Sequence, residues 1–413
     1  MRELMRLWVA TTVACLATML IAQSLQAQKY QEKVLHAFSG TDGSRPSAGV
    51  IRDAKGDLYG TTLGGGNQSC SFQGTTGCGV VFKLSAVGRF NVLHAFKGGS
   101  NDGGNPFAGV IQDAEGNLYG TTYQGGGAAC GGTGCGVMFK LDARGKETVL
   151  YKFKGGNDGA EPNGVIRDTK GNLYGTTFGG GVDGWGTVFK LNKSRSLTVL
   201  HSFTKGNDGA QPTAAVIQDG KGNLYGTTYD GGIFGHGTVF KVDTSYKETV
   251  LHSFNGTSDG GELDAGLLMD KAGNLYGTTA LGGSGPCSLG GVRVGCGIVF
   301  KIDTAGTFSV LHNFNGPDGS ASFAGLIQDA KGNFYGTTSS GGGATDSGLV
   351  FKLTSSGKET VLYKFKGTSD GSSPFAGLIQ DAAGNLYGTT WDGGDLSCGP
   401  NGGGCGVVFK LTP

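Results

Sequence analysis

Three kinds of residue that could do chemistry recur along this chain at matching positions. A carboxylate begins each D-x-x-G-N-type segment, at Asp53, Asp113, Asp168, Asp219, Asp270, Asp329 and Asp381. A histidine stands in V-L-H-x-F segments at His36, His94, His201, His252 and His312, and Tyr151 and Tyr363 hold the same position in two further copies. A lysine closes each V-F-K, from Lys83 to Lys410. Together such groups could support general acid–base work or bind a metal. Repetition argues against both, because a ring of equivalent residues does not define one asymmetric site. The D-x-x-G-N aspartate reads as a turn residue that accepts backbone N–H groups. A position that takes either histidine or tyrosine reads as a buried hydrogen-bond post. Its expected partner is the aspartate of the following D-G turn, such as Asp42, Asp158 or Asp259. The lysines are expected to lay their stems over apolar surface.

The element that must position these residues is a repeat. L-Y-G-T-T occurs with its tyrosine at 59, 119, 174, 225, 276, 335 and 387, with Phe334 replacing leucine once. Each repeat contains four short runs rich in β-formers, bounded by Gly, Asn, Asp or Ser, with no helical periodicity. In the third repeat they are Asn163–Asp168, Leu173–Thr177, Gly186–Leu191 and Leu197–Phe203. Four strands per unit of about fifty residues is a propeller blade. The expected fold is therefore all-β, a seven-bladed β-propeller of four antiparallel strands per blade. A spare strand near the N-terminus, Val34–Phe38, is expected to complete the last blade beside Val408–Leu411 and protect its edge.

Residues 1–27 read as a secretory signal peptide, with Arg2 and Arg6 before an apolar run and a cut after Ala27. Residues 28–413 are then one propeller domain. Apart from Cys15, the cysteines form four local pairs: Cys70 with Cys78, Cys130 with Cys135, Cys287 with Cys296, and Cys398 with Cys405. Each pair lies in a long loop between L-Y-G-T-T and V-F-K; in the three short loops Trp185, His236 and Ser347 replace the second cysteine. Each loop offers two sulfurs and no histidine partner, so disulfides are expected rather than zinc, each contributing roughly 2–3 kcal/mol. They imply an oxidising compartment. The balance of 33 Lys and Arg against 32 Asp and Glu leaves no basic footprint for nucleic acid.

The segments D-A-x-G-N-L-Y-G-T-T, G-x-V-F-K-L and V-L-H-x-F resemble the GloVer tandem repeat (Gloeo/Verruco repeat, "choice-of-anchor") of exported bacterial proteins, from Val34 to Leu411. The resemblance implies export and no particular activity. Many members carry a C-terminal sorting segment; this chain shows no apolar tail beyond Leu411, so no C-terminal anchor is expected.

On a symmetric scaffold, function is sought where the repeats differ. The loops joining second to third strands, and fourth strands to the next blade, should emerge on one face. There the residue after L-Y-G-T-T is aromatic at Tyr123, Phe178, Tyr229 and Trp391, with Trp185, His236 and Asp392 nearby. Rings beside carboxylates suit stacking on sugars; the plainer reading is packing between blades. The expected function is that of a secreted, monomeric binding module for an extracellular glycan or protein, in the periplasm or outside the cell. It has no membrane span after signal removal, no catalytic residues and no cofactor or metal, the D-G turns offering too few oxygens for calcium. Two rivals are an exported polysaccharide lyase or hydrolase, for which His236 is the first candidate, and a structural envelope protein without a specific ligand.

Overall fold

L-Y-G-T-T forms a strand because each of its five positions has a separate job in the β conformation. The computed structural model describes residues 30–72, 74–399 and 402–413; the expected signal peptide and Cys15 lie outside them. The leucine, or Phe334, is buried between blades. The tyrosine hydroxyl donates to the aspartate of its own D-x-x-G-N turn at 2.9–3.2 Å. The lysine of V-F-K, its cross-strand partner, lies over the tyrosine ring at 5.3–5.9 Å. A side chain at the glycine would enter the V-F-K phenylalanine ring; at Gly277 a Cβ would stand 2.5 Å from Phe300.

The two threonines differ in reach. The first donates across the seam to a carbonyl of the next blade at 2.8–3.0 Å, including Thr389 to Ala48, which joins blade 7 to blade 1. The second donates to the carbonyl two residues on, at 2.7–3.0 Å, and so starts the loop.

Seven four-stranded antiparallel sheets result. Blade 1 is Ile51–Arg52, Leu58–Thr62, Val80–Leu84 and Phe90–Ala95. Blade 7 is Ile379–Gln380, Leu386–Thr390 and Val407–Thr412, completed by Gln31–Ala37, which pairs from Gln31 opposite Thr412 to Ala37 opposite Val407. The expected closure is therefore present. Between blades, the phenylalanine after each outermost strand meets the V-F-K ring of the next blade edge-on at 5.1–5.3 Å. Such pairs contribute roughly 0.5–1.5 kcal/mol beyond their buried area.

One expectation needs correction. The innermost strand was expected to have full strand length in each repeat, as in Asn163–Asp168. Six blades have an innermost ladder of only two residues, such as Ile51–Arg52 and Ile379–Gln380. Blade 3 alone carries a long one, Ala160–Arg167. Its segment from Gly159 to Val165 is one residue shorter than Gly103 to Val110 in blade 2. In the other blades the extra residue carries the chain off the ladder; pairing resumes beyond it, for example where Ser44 bridges Gly64 and Ala210 bridges Asp230. That interruption lines the central channel.

Candidate functional site

The recurring polar residues are absorbed by the scaffold. Asp113 accepts the N–H groups of Glu115 and Asn117 as well as the Tyr119 hydroxyl. Burial works to raise its carboxyl, but these hydrogen bonds hold it below the ordinary range. Every histidine or tyrosine post meets the aspartate of its D-G turn. The five histidine Nε2 atoms lie 2.9–3.3 Å from a carboxylate oxygen, and Tyr151 and Tyr363 donate at 2.8 Å. The His312 contact, at 3.2 Å, is angled outside hydrogen-bond geometry. Burial pulls His201 and His252 below the ordinary imidazole range, against the pull of Asp208 and Asp259. Both are therefore neutral, structural groups at pH 7.

The four cysteine pairs are disulfides, closing loops of 5 to 9 residues. Trp185 and His236 fill the second-cysteine slot in short loops. Trp185 lies beneath the Lys205 ammonium, 4.2 Å from its ring centroid, and Lys205 also pairs with Asp230 at 2.9 Å. The exposed His236 ring lies against Gly256, where a Cβ would meet it at 2.5 Å. Both side chains brace the following D-G loop, as the Cys130–Cys135 sulfurs brace Gly155.

Of the other residues singled out in the sequence, Trp391 lines the channel cavity, Tyr123, Phe178 and Tyr229 hold the equivalent position in their own blades, and Asp392 follows Trp391. Tyr123 donates its hydroxyl to Glu161 of the next blade at 2.7 Å and packs on Phe72 at 4.9 Å. Phe178 is half-buried at the same place in blade 3. Tyr229 stands beside Glu262 and Asp264, its phenol raised by burial and then by their charge. Trp391 meets Phe375 at 5.4 Å, and the Arg45 guanidinium lies over its ring, also at 5.4 Å. The Asp392 carboxylate is 3.8 Å from Arg45 Nε, and burial raises its carboxyl despite that charge.

Two rings of residues at this mouth escaped the sequence reading. The first stands where the chain leaves the ladder in six blades, at Arg45, Asn105, Gln211, Glu262, Ala321 and Ser373, and at the equivalent Glu161 within the long strand of blade 3. All have φ between 52° and 59°, a left-handed conformation that non-glycine residues rarely adopt. The backbone N–H of each reaches back to the preceding blade, as Arg45 does to Cys405 and Glu262 to His236. The fold thus fixes this backbone seven times while its side chain varies, with only glutamate used twice, at Glu161 and Glu262.

The second ring projects into the channel, where a cavity of about 530 Å³ opens. Its aromatic wall is Phe107, Phe323, Phe375 and Trp391, with Phe323 stacked on Phe375 at 5.0 Å. Thr213 and Asp264, from the two blades before Phe323, also line it. Burial, and then the Glu262 charge, push the Asp264 carboxyl up to about 7. At neutral pH it can therefore donate a hydrogen bond as an acid or accept one as a carboxylate. The signal for these residues was present in the sequence. The Phe107 column reads Ser47, Phe107, Thr213, Asp264, Phe323 and Phe375 in the six blades that have it, so it varies where its neighbours repeat.

The sequence matches a family model described as the Gloeobacter/Verrucomicrobia repeat over residues 23–134, 128–287 and 284–413. No curated protein matches it. Similar solved structures include the extracellular domains of BT4673 and BT3049 from B. thetaiotaomicron, at 12% and 14% identity with TM-scores of 0.57 and 0.53. They also include PorZ, a surface component of the type-IX secretion system of Porphyromonas gingivalis, at 14% identity and a TM-score of 0.53. The three alignments cover 93%, 91% and 92% of this chain for BT4673, PorZ and BT3049, but only 40%, 48% and 41% of those chains. This chain spans less than half the length of each. At such identities the likeness establishes the propeller fold.

Proposed function

We propose that this chain, which belongs to the Gloeobacter/Verrucomicrobia repeat family, is an exported binding module that holds a glycan at the mouth of its central channel. One observation carries the reading: the channel-facing column diverges among blades while the scaffold columns around it repeat. The result is a cavity of about 530 Å³ lined by both aromatic rings and a carboxyl. That volume lies within the ordinary range for a small-ligand site. A sugar ring presents apolar C–H faces that stack on Trp391 and Phe375. Its hydroxyls would then reach Asp264 and Thr213, and Glu161 and Glu262 stand at the rim.

Export is supported by the four disulfides, which persist in oxidising compartments. The similar structures, two extracellular domains and a surface component, support the same reading. Among the described residues no helix is long and apolar enough to cross a membrane.

A glycan array probed with the exported form tests this. Binding to a defined set of glycans, lost in Trp391→Ala and Phe375→Ala but kept in Trp185→Ala, is the expected result. No retained glycan, or equal binding by all variants, would overturn it. Release of shortened glycans would instead favour an enzyme using Asp264.

A further inference from the structure

At each seam, the outermost-strand post of one blade faces the start of the next blade's outermost strand. Two seams place an aromatic ring there: Phe90 stacks on His36 at 3.7 Å and Phe308 on His252 at 3.9 Å. Leu197 packs in the cluster that holds Tyr151. The remaining four seams place a glutamate at the corresponding position: Glu147, Glu248, Glu359 and Glu32.

These glutamates share an anomaly. Oε1 of all four is buried without a hydrogen-bond partner, and they supply four of the seven such atoms among the described residues. Each also faces a second carboxylate across its seam. Glu147 faces Asp102 and His94, and Glu248 faces Asp208. Glu359 faces Asp318 and His312, with Lys364 on its own strand. Glu32 faces Asp370, with Lys366 beyond. An ionised, unpartnered carboxylate beside another is among the costliest groups to bury. A protonated one is neutral and can donate to its neighbour, as paired carboxyls do.

A metal ion is the other group that could satisfy such oxygens. In the blade 1–2 seam, atoms of His94, Asp102 and Glu147 lie within 4.8 Å of one another. The Glu32 seam argues against that account, because Tyr363 replaces the histidine there and the buried oxygen remains. The feature common to all four seams is a carboxyl facing a carboxylate.

We propose that these four glutamates are proton latches: each, when protonated, closes its seam against the neighbouring aspartate, so that the ring is most stable in mildly acidic surroundings. Burial, and then the facing aspartate, raise all four carboxyls from 4.5 to about 7. The folded ring therefore holds protons that an unfolded chain would have released. The stability they contribute is fully present below about 4.5 and is lost as pH rises through about 7. Aspartates held below their ordinary range, such as Asp42 and Asp102, oppose this only at lower pH.

Thermal unfolding of the full exported chain between pH 5 and pH 8 tests the latch. The expected result is a Tm lower by roughly 5–8 °C at pH 8. In the quadruple variant Glu32→Gln, Glu147→Gln, Glu248→Gln, Glu359→Gln the difference should shrink to under about 2 °C, with Tm at pH 8 above that of the unmodified chain. If the quadruple variant fails to fold, Glu147→Phe, which copies the Phe90 and Phe308 seams, should reduce the pH dependence by about a quarter. A pH profile unchanged by these substitutions would overturn the proposal. So would a rise in Tm at pH 8 with Zn²⁺, Mn²⁺ or Ca²⁺ that Glu147→Gln abolishes and Glu32→Gln does not, since that outcome assigns the seam to a metal.

Discussion

The connection from blade 4 to blade 5 holds two aspartates five residues apart that have opposite roles. Asp259 accepts from His252 at 3.0 Å and from the Asn255 backbone at 3.0 Å, a pairing repeated around the ring. Asp264 lines the channel, where the equivalent positions in other blades hold Ser47, Phe107, Thr213, Phe323 and Phe375. A carboxylate whose partners are supplied by its own repeat is scaffold. A carboxylate left facing a cavity, with a second acid beside it, is available to something outside the chain. The contrast extends to the whole molecule: the recurring residues hold the ring, and the channel mouth is where the copies differ.

Substitutions that cross this divide should separate stability from binding. The largest effect is expected from Phe300→Ala, which empties a site between Phe254 and Phe308 and should cost about 3–5 kcal/mol in denaturant unfolding. Its effect on glycan affinity, measured where the variant is still folded, should be slight. Asp259→Ala should cost about 1–3 kcal/mol by leaving His252 and the Asn255 N–H unsatisfied, again without changing specificity. Replacing Cys287 and Cys296 by serine should cost about 2–3 kcal/mol, read as a lower unfolding midpoint. Asp264→Asn should do the reverse of Phe300→Ala, altering glycan binding and leaving stability at pH 5 nearly unchanged. Because the Asp264 carboxyl is raised to about 7, the native protein should lose stability as pH climbs through 7, and the asparagine variant should lose less. If Asp264→Asn unfolded the protein as readily as Asp259→Ala, the distinction between the two aspartates would fail.

The fold was legible because each repeated motif has local causes. D-x-x-G-N specifies a turn, L-Y-G-T-T and V-F-K specify paired strands, and cysteine spacing specifies short loops; none requires knowledge of a distant residue. The His–Asp posts were legible for the same reason, their partners being six to eight residues apart. The site was less legible. Trp391, Asp392, Tyr123 and Tyr229 were found because they follow a repeated motif directly. Phe107, Asp264, Phe323 and Phe375 sit where a single extra residue lifts the chain off its ladder, and reading that stretch as ordinary strand hid their direction. The seam glutamates were invisible for a different reason. Glu147 and Asp102 lie 45 positions apart, and only the packing of one blade on the next brings them together.

The most direct test of the channel-mouth account uses tryptophan fluorescence. Trp391 lines the cavity and Trp185 lies beneath Lys205, so in the protein lacking residues 1–27, which carry Trp8, each can be isolated by replacing the other with phenylalanine. Titration of the Trp185→Phe protein with a glycan selected on the array should quench or shift the Trp391 emission in a saturable way. The Trp391→Phe protein, with only Trp185 reporting, should stay unchanged. A saturable response from Trp185 with none from Trp391 would place the ligand on the outer loops and contradict the account.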